Sequence, residues 1–477
     1  MIAGGAGTAR TVVIIMTAGR FLNDIVSFTV FSILDLLDVF LCVAYKLMDY
    51  KMEAEWKPCY CSSSSANDVI TGSGNIVVSE DGESKIVRLS STKLHLEEIS
   101  DTLYCRPSLV SELSRAAVAV AAAFRSTTTL PNTTTFTINS TIVEMLQGKI
   151  GAAQRYNPIR RWSDCSCKTC TCWTSVPANA SSLFVHADGG GRGNPSPKED
   201  VLFIHGFISS SMFWTETVFP NLTEKTKSKY RLFAVDLLGF GRSPKPADSL
   251  YTLREHVDMI QRSVLEPYKV KSFHIVAHSL GSILALALAV KYPNSVKSLT
   301  LIAPPYFPAP EGEKGTQYVL RKVAPRRVWP PILFGTSVAC WYEHISRTIC
   351  LLICKNHLVW ESIAKVLLGN RMRTFLMDGF FCHTHNAAWH TLHNIICGSS
   401  GKVEKYLDIV RDEMDCQVTI FHGGADEVLP VECSHEVGLR IPRARVKIIE
   451  NKDHITIVVG RQKKFARELE DIWNQTS

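Results

Sequence analysis

The sequence lacks the marks of several whole classes of protein. It has no Gly-X-Y period, no long heptad run and no repeat at solenoid spacing, which excludes collagen-like, coiled-coil and repeat architectures. Charge of one sign is scarce: 52 Lys and Arg against 45 Asp and Glu leave +7 over 477 residues. That is too little for a nucleic-acid protein, which carries a basic face or stripe. With 46% apolar and 20% charged residues the chain is not mainly disordered either. The Gly-rich stretch Gly189–Pro195 lacks the Gly-Lys-Ser/Thr ending of a phosphate loop. No cofactor is called for, and the length is ample for an enzyme-sized core.

Cysteine is not scarce. The 15 residues are an odd number, and four of them fall in the eight residues Cys165, Cys167, Cys170 and Cys172. Only Cys167 and Cys170 have the pair spacing usual for zinc, so disulfides are the preferred reading, free or lipid-modified thiols the next, and metal the last. Five glycosylation sequons begin at Asn132, Asn139, Asn179, Asn221 and Asn474, a mild excess over chance. The N-terminus carries the stronger cue for a secretory or membrane setting. Val26–Met48 is apolar and, at about 1.5 Å per residue, long enough to cross a bilayer. It also contains Asp35 and Asp38, each costing about 2.5–3.5 kcal/mol at a bilayer centre. Their i, i+3 spacing puts both on one face, so the segment either lies in the membrane interface or pairs its polar side. A signal anchor is preferred to a cleaved signal sequence or an amphipathic soluble helix. The expected division is therefore a hydrophobic segment at 1–55, a poorly legible extension at 56–180 with a helix over Ser111–Phe124, and a third unit at 181–477.

In that third unit the chain changes character. Short β-branched and aromatic runs, Asp200–Ile204, Arg231–Asp236, Ser272–Ala277, Lys297–Ala303, Cys416–Phe421 and Arg445–Glu450, alternate with helical stretches. Each run is almost continuously apolar, as parallel strands buried on both faces should be. The alternation predicts an α/β fold with a mostly parallel, doubly wound sheet. It breaks between about 306 and 405, where a helical insertion is expected to form a lid.

The chemistry lies at the strand ends. Ser272–Ala277 runs into Ala277-His278-Ser279-Leu280-Gly281 and a helix of small residues. This is a nucleophile elbow with Ala for the first Gly of Gly-x-Ser-x-Gly; Gly281 and Ala277 leave room for the sharp turn. A serine hydroxyl needs a base, and His454 follows the last strand. Asp426 follows the strand before it, so the order Ser279, Asp426, His454 is that of α/β-hydrolases. Asp415 and Glu427 are weaker acids for the role, one lying before its strand and one a residue out of place. His205-Gly206-Phe207 ends an earlier strand, which makes the amides of Phe207 and Leu280 the oxyanion donors. An epoxide hydrolase or dehalogenase on this fold would want an acid at 279, which is absent. Leu238-Gly239-Phe240-Gly241-Arg242-Ser243 has too few glycines for a dinucleotide site and reads as a structural loop. His383, His385, His390 and His393 read as lid packing, ahead of a substrate-facing role and of metal.

These motifs, with the Ala303-Pro304-Pro305-Tyr306 turn, the Cys382-His383-Thr384-His385-Asn386 stretch and the apolar N-terminal extension, resemble the BODYGUARD family of plant α/β-hydrolases. The resemblance covers most of the chain. It implies a lysophospholipase-like enzyme at the outer epidermal cell wall that serves cuticle formation, with Ser279, Asp426 and His454 at the family's triad positions. The expected activity is that of a serine hydrolase acting on acyl esters of lipids, anchored by its N-terminal segment or secreted to the cell wall. The same acyl-enzyme would allow an acyltransferase or cutin polyester synthase, and a hydrolase fold kept as a lipid-binding sensor is the non-catalytic alternative.

Overall fold

The computed structural model describes residues 5–53, 76–80, 83–87, 93–95, 99–103, 161–167, 170, 182–189, 199–247, 249–368 and 374–476. The expected helix over Ser111–Phe124, and Cys172, Asn132, Asn139 and Asn179, lie outside these residues. Three short strands, β1 (Ile76–Glu80), β2 (Glu83–Val87) and β3 (Lys93–His95), form a small antiparallel sheet.

The main sheet has seven strands: β4 (Val185–Asp188), β5 (Glu199–Ile204), β6 (Tyr230–Val235), β7 (Phe273–His278), β8 (Val296–Ile302), β9 (Gln417–Gly423) and β10 (Arg445–Ile449). Their order is β10-β9-β8-β7-β5-β6-β4. All neighbours are parallel except β4, which pairs antiparallel with β6 at one edge. The six predicted strands are all present within two residues of their expected ends. Every residue of β7 is buried, as a central strand covered on both faces must be. One apolar core packs the helix Leu280–Lys291 against one face. A second, with Phe203, Trp214, Phe465 and Trp473, fills the other.

Between β8 and β9 the chain leaves the sheet for a helical insertion that includes Gly315–Val323, Pro331–Trp341, Glu343–Leu352, His357–Leu368 and Thr374–Phe381. The insertion has its own core, and Phe31 of the N-terminal helix belongs to it. That helix, Gly5–Glu53, is the one described helix long and apolar enough to cross a membrane. One face of it is docked on the lid. Ser27 Oγ accepts from the Val328 amide at 3.1 Å, and Phe31 stacks on Tyr342. Asp35 takes Arg326 Nη2 at 3.0 Å and the Tyr342 hydroxyl at 2.8 Å. Asp38 accepts from the amides of His344 and Ile345 at 2.9 and 3.0 Å, so it caps the lid helix Glu343–Leu352 from another part of the chain. Asp49 is held by Arg347. With Tyr45, whose hydroxyl lies 2.9 Å from that of Thr348, positions 27, 31, 35, 38, 45 and 49 recur every three, four or seven residues, which is one face of a helix. The acidic residues within the apolar run are thus paired.

The segment 161–167 sits at the end of the same helix. Trp162 Nε1 donates to Asp49 at 2.6 Å, and Lys355 Nζ donates to the Trp162 carbonyl at 2.7 Å. Of the described sequons, Asn474 is exposed, whereas the Asn221 side chain donates to the Thr217 carbonyl at 2.7 Å.

Candidate active site

β7 ends at His278, and the helix Leu280–Lys291 begins two residues later, so the chain turns sharply at Ser279. Ser279 adopts φ 52°, ψ −121°, a conformation that typically costs a non-Gly residue about 1–3 kcal/mol and clusters at functional sites. The surroundings enforce it. A Cβ on Gly281 would lie 2.7 and 2.8 Å from the carbonyls of Ile204 and His205, and one on Gly206 only 3.2 Å from Ser279 Cβ. The elbow therefore touches the backbone that follows β5. Leu280 opens the helix, where a backbone N–H has no partner within the helix and the macrodipole favours negative charge.

His205 orients the other oxyanion candidate. Its Nε2 accepts from the Leu237 amide at 2.9 Å, so the proton sits on Nδ1, which donates to the Gly206 carbonyl at 2.7 Å. The ring is wholly buried, and burial lowers its pKa below the ordinary value, against the pull of Asp236, which keeps it neutral. Fixing the Gly206 carbonyl fixes the whole peptide plane, and in a trans peptide the Phe207 N–H points the opposite way. Phe207 itself packs edge-on against Phe240.

The candidate acid and base, Asp426 and His454, sit on two loops laced together at the ends of β9 and β10. The amides of Gly424 and Ala425 donate to the carbonyls of Ile449 and Lys452, both at 2.9 Å. Asp426 Oδ1 accepts from the amides of Val428 and Leu429, and Oδ2 lies 2.7 Å from His454 Nδ1. The Asp426 side chain is fully buried, whereas that of His454 remains 12% exposed, so the acid is shielded and the base reachable. Burial alone would raise the Asp426 pKa. The contacts from His422 and His454 outweigh it and hold the carboxyl well below the usual carboxylate range. Asp426 is thus an anion placed to orient the imidazole through Nδ1, which would leave Nε2 to act as a base. Asp415 precedes β9 and Glu427 is exposed.

Two supporting residues carry no sequence signal. His278 occupies the variable position before the serine. Its Nε2 donates to the His454 carbonyl at 2.9 Å, and the rings are 4.7 Å apart, which ties the elbow to the loop of the base. Burial, reinforced by His454, lowers His278 to about 3, so it stays neutral. His422 stands 3.4 Å from Asp426 Oδ2 and is itself held by Ser434 and the Leu429 carbonyl.

The loop 238–243 is built around Asp236, whose carboxylate accepts from the amides of Ser211 and Arg242, and Phe240 bridges to His383 of the lid. It is a structural loop. His383, His385, His390 and His393 are all buried in the insertion.

Comparison with known proteins identifies the fold and the family. The alpha/beta hydrolase fold family matches residues 201–325. A probable lysophospholipase, BODYGUARD 3 of Arabidopsis thaliana, is 58% identical over 96% of this chain and 97% of its own length. BODYGUARD 1 of the same plant, also named a probable lysophospholipase, is 54% identical over 97% of this chain and 98% of its own. BODYGUARD 4 is 38% identical over 95% of this chain and 98% of its own. The protein is a serine ester hydrolase of the α/β-hydrolase fold. Within that class, the chain belongs to the BODYGUARD family.

Proposed function

We propose that Ser279, His454 and Asp426 form a catalytic triad that cleaves long-chain acyl esters of the lysophospholipid type at a membrane surface. Ser279 Oγ attacks the ester carbonyl while His454 Nε2 takes its proton. The amides of Phe207 and Leu280 receive the oxyanion, and the protonated His454 then gives its proton to the departing alcohol. Water, activated by the same imidazole, releases the fatty acid and restores Ser279. The observation that carries this reading is the 2.7 Å contact between His454 and the buried Asp426, beside a serine held in a strained turn.

The membrane setting rests on the face of the N-terminal helix turned away from the lid. Phe21, Leu22, Phe28, Leu36 and Phe40 are 61–80% exposed there. The lid adds exposed Trp329, Val366 and Leu367. A helix clasped to the lid by Asp35, Asp38 and Asp49 cannot also cross a bilayer alone. The helix therefore lies flat in the interface, its apolar side among the acyl chains and the lid brought to the lipid. By kinship with the BODYGUARD proteins, the enzyme enters the secretory pathway and works at the plasma membrane or outer wall of the epidermis, where the acyl products serve cutin and wax deposition. The proposed units are the anchor at 1–55, the extension at 56–180 and the hydrolase with its lid at 181–477.

A fluorophosphonate probe on the full-length protein in mixed micelles tests the nucleophile. Labelling that disappears in Ser279→Ala supports the reading. Labelling that survives, or folded wild type that never labels, overturns it, and the latter outcome favours a lipid-binding role.

A further inference from the structure

Three cysteines and one histidine outside the active site converge on one point. Cys165, Cys167, Cys170 and His357 place their donor atoms within 4.8 Å of one another. His357 Nε2 lies 3.2 Å from Cys167 Sγ and 3.5 Å from Cys170 Sγ. A tetrahedral zinc ion, with Zn–S near 2.3 Å and Zn–N about 2.0–2.1 Å, sets its ligand atoms about 3.5–3.8 Å apart. The four donors thus need only small shifts to close on one ion.

The histidine is arranged as a ligand. Its Nδ1 lies 2.8 Å from the carboxylate of Glu361, one turn further along the same helix. Metal-binding imidazoles are commonly oriented in this way, the carboxylate fixing the proton on one nitrogen and presenting the other to the metal. The His357 ring is also almost wholly buried. A disulfide between two of the thiols would not engage this buried, oriented imidazole. A metal uses all four. No disulfide joins any two of the described cysteines.

We propose that Cys165, Cys167, Cys170 and His357 bind one structural Zn²⁺ ion that staples the Cys-rich segment to the lid. Three thiolates and an imidazole are a donor set that selects zinc over oxygen-seeking cations. Four protein ligands leave no open position, which makes the site structural and not catalytic. The ion joins parts of the chain 187 residues apart. The segment it holds also carries Trp162, which touches Asp49 of the N-terminal helix and Lys355 of the lid. Sequence spacing undervalues the site because the fourth ligand comes so much later.

The test is metal content by mass spectrometry of the full-length protein, purified in detergent without chelator. At least one equivalent of zinc per chain is expected, with Cys167→Ser and His357→Ala each losing one equivalent. Zinc held at the neighbouring Cys350, Cys354 and His383 triplet would survive both substitutions, so the loss identifies the site. Glu361→Gln guards against variants that fail to fold. It should keep its fold and bind zinc about 10–100-fold more weakly in a chelator competition. Cobalt exchanged into the wild type should give the intense visible bands of a tetrahedral thiolate site. Wild type without zinc, zinc unchanged by Cys167→Ser and His357→Ala, or a disulfide within the 165–172 peptide would overturn the proposal.

Discussion

Arg347 grips Asp49 across 298 residues of sequence through two parallel hydrogen bonds, Nη1 to Oδ2 at 2.7 Å and Nη2 to Oδ1 at 2.6 Å. Both side chains are 5% exposed. Removing one partner of a buried pair strands the other charge and typically costs about 3–5 kcal/mol, whereas replacing both with apolar groups is often neutral. Asp49→Ala should therefore lower the thermal midpoint and expose the N-terminal helix to protease, and Asp49→Leu with Arg347→Met should restore most of both, short of the hydrogen bond from Trp162 Nε1. Limited proteolysis with a melting curve checks this. Equal protection of Asp49→Ala and wild type would mean that the helix does not depend on the clasp.

Undocking should also separate two activities. Hydrolysis of a micellar long-chain substrate should fall in Asp49→Ala, while a short soluble ester should be turned over at the wild-type rate. Parallel loss of both would place the defect in the active site itself.

In the proposed triad Asp426 fixes the tautomer of His454. Asp426→Asn keeps the shape and reverses the hydrogen-bond preference, so kcat on a soluble ester should fall by about 10⁴-fold with little change in the fold. A loss of less than tenfold would remove Asp426 from the triad.

His205 acts through the peptide it holds. His205→Phe frees the Gly206 carbonyl and leaves the Leu237 amide without its acceptor, a change of about 1–3 kcal/mol in stability. With the Phe207 N–H no longer aimed, kcat should drop about 100-fold, in line with loss of an oxyanion donor, while KM stays near wild type. A rise in KM at unchanged kcat would instead give His205 a role in binding.

Acid should destabilise the protein through those buried histidines whose pKa is lowered, against the opposite contribution of His344, whose pKa is raised. Burial lowers His274 to about 4 and His278 to about 3, against about 6.5 in an unfolded chain. Below pH 6.5 the unfolded state takes up protons that the native state refuses. The stability is therefore complete above pH 6.5 and shrinks as pH falls towards 4, by up to about 1.4 kcal/mol per pH unit for each histidine. Asp426, whose pKa is lowered, adds a further loss only below about pH 4. Urea midpoints at pH 7, 6 and 5 should fall in sequence, and less steeply in His278→Gln. A flat profile would contradict the burial argument.

The sheet was legible because strands buried on both faces must be nearly all apolar, and all six such runs became strands. The antiparallel edge strand Val185–Asp188 was missed, since the run is only four residues long and at the edge none of them is fully buried. The order Ser279, Asp426, His454 was readable because each residue follows a strand, and the structure brings the last two into contact. His278 and His422 were invisible as partners, because their roles depend on how loops from different strands cross. The shared face of Asp35 and Asp38 was readable from their spacing. Their partners Arg326 and His344 were not, because docking is a tertiary fact.

The most direct measurement is release of fatty acid from long-chain lysophosphatidylcholine micelles by the purified full-length protein and its Ser279→Ala form, with an added alcohol acceptor assayed alongside. The account predicts fatty-acid release by wild type and a loss of at least about 10³-fold in Ser279→Ala, whose fold is preserved. A Ser279→Ala protein that works at the wild-type rate, or a folded wild type that releases nothing, would contradict it.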